Sequence, residues 1–349
     1  MTLRTAGRWF VWGLVALVLV YFGAAAAMSA WPAPGFSTPA DGSPEAARAQ
    51  GLSLEQVYPF EERHFTMRDG ERLYARHFAA EGPPLTLLLV HGMTGESSQF
   101  NRTAGLLREA TGAEVYAVDL RGHGESGGRA GDVDHIGQYE EDVVDVITAL
   151  KEKDPGRALI LSGHSMGGGI AQRYAQLPDS PVVDGYLLYA PLLGFGAPTT
   201  RTEPNADPDG EEPWVKVDVP RIIGLSMLNV VGVTGLNALT TAVCHVTESA
   251  RVGEYSFRSL VGTAPQSYVA GVQAIDAPLL LVVGSEDEAF LADEYAPLVA
   301  AHARVPGRVE VVEGASHNGV HHDPRSVALV ADWLSGLGFS KQAAVAAGS

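Results

Sequence analysis

The stretch Leu159-Ile160-Leu161-Ser162-Gly163-His164-Ser165-Met166-Gly167-Gly168-Gly169-Ile170 constrains this chain more than any other. A short apolar run, as in a strand buried on both faces, enters Gly-x-Ser-x-Gly directly. Apolar residues at helical spacing (Ile170, Tyr174, Leu177) follow at once. A turn this tight between strand and helix needs glycine on both sides of the serine. It leaves the Ser165 hydroxyl standing clear of the sheet edge. The N–H groups that open the helix then face any negative charge developing there.

With 40 glycines in 349 residues the pattern alone is weak, so its context decides. Gly124-Glu125-Ser126-Gly127-Gly128 matches as well, but it follows a polar loop and begins no helix. Ser126 is therefore expected to be a turn residue whose loss does little, and Ser165 is the candidate nucleophile.

The surrounding sequence alternates two textures. Short apolar runs at 85–90, 114–118, 158–161, 186–189, 279–283 and 309–312 read as buried strands. Helical patterns at 103–110, 139–150, 169–176, 289–302 and 326–334 lie between most of them. This alternation predicts an α/β fold, a mostly parallel central sheet with helices on both faces. A hairpin with an Asp69-Gly70 turn (64–68 and 73–78) precedes it. A hydrophobic content of 46% is enough for one large core. The sheet is interrupted by more than eighty residues without a clear strand, and residues 192–275 are read as an inserted cap. Within them Thr199 to Glu212 is acidic and Pro-rich, hence loop. The apolar set Ile222, Ile223, Leu225, Met227, Leu228, Val230 and Val231 suggests an apolar substrate and makes the cap the candidate substrate-binding region.

In such a sheet, functional groups collect at the carboxyl ends of the strands. A serine hydroxyl needs a base, and the base needs an orienting acid. Taken in chain order, the strand ends supply Ser165, an acid among Glu286, Asp287 and Glu288, and His317. The backbone N–H groups of Met93 and Met166 are positioned to form the oxyanion hole. His91 and His123, the latter with Arg121, are expected to brace loops. His64, His77, His245 and His302 are expected at the surface or in packing. His317, His321, His322 and Asp323 cluster, but Gly319 and Pro324 disfavour the helix that metal ligation at that spacing needs, so no metal is expected. Cys244 is the only cysteine, which excludes an internal disulfide and a Cys-rich metal site.

At the N-terminus, Arg4 and Arg8 precede an uncharged stretch from Trp9 to Met28. Residues 1–30 read as a transmembrane signal-anchor or a signal peptide cut near Ala25-Ala26-Ala27 or Ala27-Met28-Ser29. The length favours the anchor. Either way the body is expected outside the cytoplasm: anchored, or secreted if the leader is cleaved. Residues 31–54 read as a linker, 55–191 and 276–338 as the core, and 339–349 as a flexible tail. A net charge of −17 argues against nucleic acid or anionic lipid headgroups as the main partner.

These pieces together resemble the α/β-hydrolase superfamily, and within it the monoacylglycerol lipase/lysophospholipase-like group, also described as the serine aminopeptidase S33 domain. The resemblance is carried by His91-Gly92-Met93-Thr94-Gly95-Glu96-Ser97, Asp119-Leu120-Arg121-Gly122-His123-Gly124-Glu125-Ser126, Gly163-His164-Ser165-Met166-Gly167-Gly168, Gly284-Ser285-Glu286-Asp287 and Gly314-Ala315-Ser316-His317. It implies an α/β-hydrolase fold and a cofactor-free hydrolase, usually of carboxylic esters, with Ser165, Asp287 and His317 as its triad. The expectation is an ester hydrolase acting on a small apolar ester or lipid through an acyl-enzyme. The alternatives are an aminopeptidase or amidase using acidic residues 203–212 to hold an amino terminus, and a non-catalytic binding protein of the same fold.

Overall fold

The structure, a computed structural model, describes residues 3–38, 40–52, 55–201, 213–247 and 250–339. The acidic stretch 203–212 and the tail beyond residue 339 lie outside the described residues.

Strands β1 (Glu61–Thr66) and β2 (Arg72–Phe78) form the expected antiparallel hairpin, closed by the Gly70 N–H donating to the Met67 carbonyl. Then come β3 (Leu85–Val90), β4 (Glu114–Val118), β5 (Ala158–His164) and β6 (Gly185–Tyr189). Within residues 192–275 lie β7 (Val215–Val217), β8 (Thr240–Cys244) and β9 (Glu254–Ser256), followed by β10 (Leu279–Gly284) and β11 (Gly307–Val312). The main sheet has eight strands in the order β1-β2-β4-β3-β5-β6-β10-β11, parallel from β4 to β11. β3, β4, β6 and β10 are buried at every position, which is why they read as unbroken apolar runs. The edge strand β1 carries Glu61, Glu62 and Arg63 exposed, a charged rim that discourages edge pairing.

The helices are α1 (Leu3–Ser29), α2 (Pro44–Ala49), α3 (Asn101–Thr111), α4 (Gln138–Lys153), α5 (Met166–Ala175), α6 (Val219–Val230), α7 (Phe257–Val261), α8 (Tyr268–Ala274), α9 (Tyr295–His302) and α10 (Pro324–Gly336). α3 packs with α10, while α4, α5, α8 and α9 form a separate run of contacts. The helix expected over 289–302 begins only at Tyr295. Ahead of it the Asp287 carboxylate takes the N–H groups of Ala289 and Phe290 at 2.8 and 2.7 Å, and this local capping competes with helix formation.

Residues 192–275 hold a three-stranded antiparallel sheet, β7-β8-β9, beside α6, α7 and α8. Two of these strands are three residues long, too short to show a period in the sequence. Residues 31–38, expected as linker, touch this sheet: His245 Nε2 meets the Thr38 carbonyl at 2.9 Å, and Phe36 stacks on the His245 ring. Along α1, Ala25 is fully buried against α6.

Candidate active site

β5 ends at His164, and the chain reverses into α5 through Ser165 alone. Ser165 adopts φ 52° and ψ −116°, a left-handed conformation that costs about 1–3 kcal/mol for a residue with a side chain. The surroundings hold it there. Its N–H donates to the Tyr189 carbonyl at 3.0 Å, and its carbonyl accepts from Leu192 at 2.9 Å and Gly168 at 3.0 Å. A Cβ on Gly163 would collide with the Gly167 backbone, and one on Gly167 with the Val90 carbonyl, so the elbow closes only with glycine at both places.

The carboxylate that meets an imidazole is Asp287's: His317 Nδ1 lies 2.9 Å from Asp287 Oδ2. Asp287 is 1% exposed, and its other oxygen is occupied by the N–H groups of Ala289 and Phe290. Its rival Glu288 instead accepts the backbone N–H of His317 at 2.9 Å. His164 Nε2 donates to the His317 carbonyl at 3.0 Å. His317 is thus gripped at its N–H, its carbonyl and Nδ1, which leaves Nε2 as the group able to take a proton. The rings of His164 and His317 are 4.7 Å apart, and His164 immediately precedes Ser165. The Ser165 hydroxyl makes no hydrogen bond among the described residues, so its rotor is unclaimed.

Across the sheet edge, the loop after β3 presents Met93. The N–H groups of Met93 and Met166 donate to no other described residue. Met166 opens α5, so its N–H is one of the helix's orphan donors. For Met93 the aiming device is His91. Its Nε2 accepts from the Leu120 N–H at 3.0 Å, so its proton sits on Nδ1 and is donated to the Gly92 carbonyl at 2.8 Å. Holding that carbonyl fixes the planar Gly92–Met93 peptide and turns the Met93 N–H to the opposite side. Burial pushes His91 down to about 4, so the ring stays neutral.

A further set of contacts escaped the sequence reasoning. Thr94 has a left-handed φ of 56°, and its N–H donates to the Tyr255 hydroxyl, on β9, at 2.6 Å. That hydroxyl in turn lies 2.9 Å from His123 Nε2, while His123 Nδ1 donates to the Arg121 carbonyl at 2.9 Å. Burial pushes His123 down to about 3, which keeps its Nε2 an acceptor. His123 therefore braces its loop, and through Tyr255 it also braces the loop after β3 that carries Met93. No sequence signal marks Tyr255, because the contact spans 161 positions.

Ser126 is not the simple turn residue expected. Buried at 2% exposure, its hydroxyl accepts from the Tyr74 N–H at 2.8 Å and donates to the Asp119 carbonyl at 2.6 Å. His321 contacts Thr103 Oγ1 through Nδ1 at 2.6 Å and packs its ring 5.0 Å from that of His164. Of the apolar cap set, Leu225 and Leu228 are buried in a cluster with Ala25 of α1, while Ile223, Val230 and Val231 are exposed.

The family described as "Serine aminopeptidase, S33" matches residues 82–216, the stretch that carries the loop after β3 and the strand-to-helix turn at Ser165. The chain has the α/β-hydrolase fold and resembles the monoacylglycerol-lipase-like group within it. It is similar to the monoacylglycerol lipase of Mycolicibacterium smegmatis, 27% identical over 269 residues that cover 72% of the chain and 88% of the relative. It is 34% identical to the human monoglyceride lipase over 119 residues, 33% of the chain and 39% of the human protein's length. Its fold is like that of a solved membrane phospholipase A, with a TM-score of 0.53 at 20% identity over 97% of this chain and 99% of that one.

Proposed function

We propose that the protein is a serine hydrolase that cleaves carboxylic esters of monoacylglycerol or lysophospholipid type through an acyl-enzyme on Ser165. The observation that carries this reading is the His317–Asp287 pair, gripped on three sides beside a strained serine elbow. In the proposed reaction Ser165 Oγ attacks the ester carbonyl carbon and its proton passes to His317 Nε2. The oxyanion is met by the N–H groups of Met93 and Met166. The carbon–oxygen bond of the leaving alcohol then breaks as His317 returns the proton to that oxygen. Water, deprotonated by the same ring, frees the acyl group in a second pass. Asp287 holds the ring and stabilises its cation. Relatives named monoglyceride and monoacylglycerol lipases support an ester as the substrate.

The anchor reading of the N-terminus is part of this proposal. Residues Trp9–Ser29 are long and apolar enough to cross a membrane, with Arg4 and Arg8 on the cytoplasmic side. Its support is the contact with α6. Arg221 donates from Nε to the Ser29 carbonyl at 3.1 Å and also bonds the Trp31 carbonyl, and the Tyr21 hydroxyl donates to the Met227 carbonyl at 2.6 Å. Cleavage between Ala25 and Ser29 would remove the Tyr21 bond and take away Ala25, which lies in the cluster that buries Leu225 and Leu228.

The test is a fluorophosphonate label and a panel of monoacylglycerols and p-nitrophenyl esters of graded chain length. The full chain is expected to label and turn over esters, and Ser165→Ala is expected to do neither while unfolding at the same temperature. Undiminished labelling of Ser165→Ala would sink the assignment. Hydrolysis of aminoacyl arylamides but not esters would favour the peptidase reading instead.

A further inference from the structure

α6 leans on α1 in the opposite direction. Ser29 meets Arg221, Ala25 meets Gly224, and Tyr21 meets Met227, so α6 descends alongside the last turns of α1 toward its middle. The approach is close: a Cβ on Gly224 would lie 2.7 Å from the Ala25 carbonyl and 2.7 Å from the Ser29 nitrogen. Length then decides where α6 must be. At about 1.5 Å per residue, residues 9–21 reach only about 20 Å, short of the roughly 30 Å hydrocarbon core. The missing length can come only from residues 22–29, the turns that α6 covers. If α1 spans a bilayer, α6 goes in with it.

The chemistry of the descending part suits that position. From Ile222 to Leu239 there is no Asp, Glu, Lys or Arg, and Val230, the end of α6, is 83% exposed. Ile223, Val231, Val233 and Leu236 are exposed beside it, an apolar patch that water disfavours. The two amides in this stretch satisfy each other: Asn229 Nδ2 donates to Asn237 Oδ1 at 2.7 Å, and Asn237 Nδ2 to Asn229 Oδ1 at 2.9 Å. Mutual pairing of this kind is what polar groups require in lipid. The charged residues lie at the other end of α6, where Asp218 caps the helix and Arg221 binds the end of α1. Trp31 is exposed at that same level, where an interfacial aromatic belongs.

We propose that residues 222–239 are buried in the outer leaflet of the bilayer that α1 crosses, so that the phospholipid surface is the partner of this face. This rests on the anchor reading given above, and the test separates the two. Val230→Cys and Val233→Cys are labelled with an environment-sensitive fluorophore in the full chain, reconstituted into phosphatidylcholine–phosphatidylglycerol vesicles. The native Cys244 does not compete, since it is buried and its thiol is pushed up to about 12. Leu17→Cys reports on α1, and Glu81→Cys on the exposed core. Labels at 230 and 233 are expected to be quenched by nitroxide-bearing lipids and to show about tenfold less iodide quenching than the label at 81.

Lipid quenching at 17 with iodide quenching at 230 and 233 overturns the proposal and leaves the anchor standing. Protection from iodide at 230 and 233 without lipid quenching assigns the patch to a second copy of the chain and overturns it too. No lipid quenching at 17 overturns the anchor reading, and the proposal falls with it.

Discussion

At the scale of single residues, the site depends on backbone groups that are held rather than free. Asp287 does more than face a ring: two N–H groups fix one oxygen so that the other meets His317 at 2.9 Å. Replacing it with asparagine keeps the shape but favours the wrong tautomer. Asp287→Asn is therefore expected to lower kcat by about 10³–10⁴ with little change in KM, read in steady-state ester hydrolysis. Tyr255 is a positioning residue: its hydroxyl takes the N–H of the strained Thr94, next to Met93. Tyr255→Phe is expected to reduce kcat about tenfold at unchanged KM, because the proposed oxyanion donor at Met93 loses its aim while substrate binding is untouched. A variant that only loosened the fold would show parallel loss of melting temperature, and calorimetry separates the two. Ser126→Ala should move stability and not kcat, since it strands the buried Tyr74 N–H; about 1–3 kcal/mol is expected in denaturant unfolding.

Among the elements, the contact of α1 with α6 is set by size. Gly224 allows the two backbones to touch where any side chain would meet the Ala25 carbonyl and Ser29 nitrogen. Gly224→Val is expected to part the helices and cost about 1–3 kcal/mol, seen as cutting near Trp31 at lower protease concentration than in the parent. The strands, by contrast, are governed by burial. β3, β4, β6 and β10 are covered on both faces, so their sequences are apolar without alternation and were legible as strands. β7 and β9, at three residues each, show no period, and only pairing with β8 makes them strands.

For the whole molecule, acid stability turns on a cluster at the foot of the sheet. Burial pushes the Glu114 carboxyl up, but hydrogen bonds from His77 and Lys153 and the charges of Lys153 and Arg157 outweigh it and hold it at about 2. A folded-state value below the unfolded one contributes stability that is complete above about pH 4.5 and lost as pH falls toward 2. Glu114→Gln is expected to lower the melting temperature at pH 7. It is also expected to flatten its decline between pH 5 and pH 3, a difference of about 1–2 kcal/mol after solvent screening.

The amino-acid sequence by itself determined what depends on neighbours along the chain. The buried strands show as apolar runs, the elbow as glycines that a tight turn demands, and Ser165, an acid among residues 286–288 and His317 as strand ends met in turn. The tertiary structure shows which of three adjacent acidic residues faces His317: Asp287 meets the ring and Glu288 the backbone N–H. It alone joined Tyr255 to Thr94, and it alone turned the apolar face of α6 toward α1. The contacts of Tyr255 and of α6 with α1 span from about 130 to about 200 positions, and no local spacing encodes them. They arise from the packing of distant segments, which the sequence specifies only by folding.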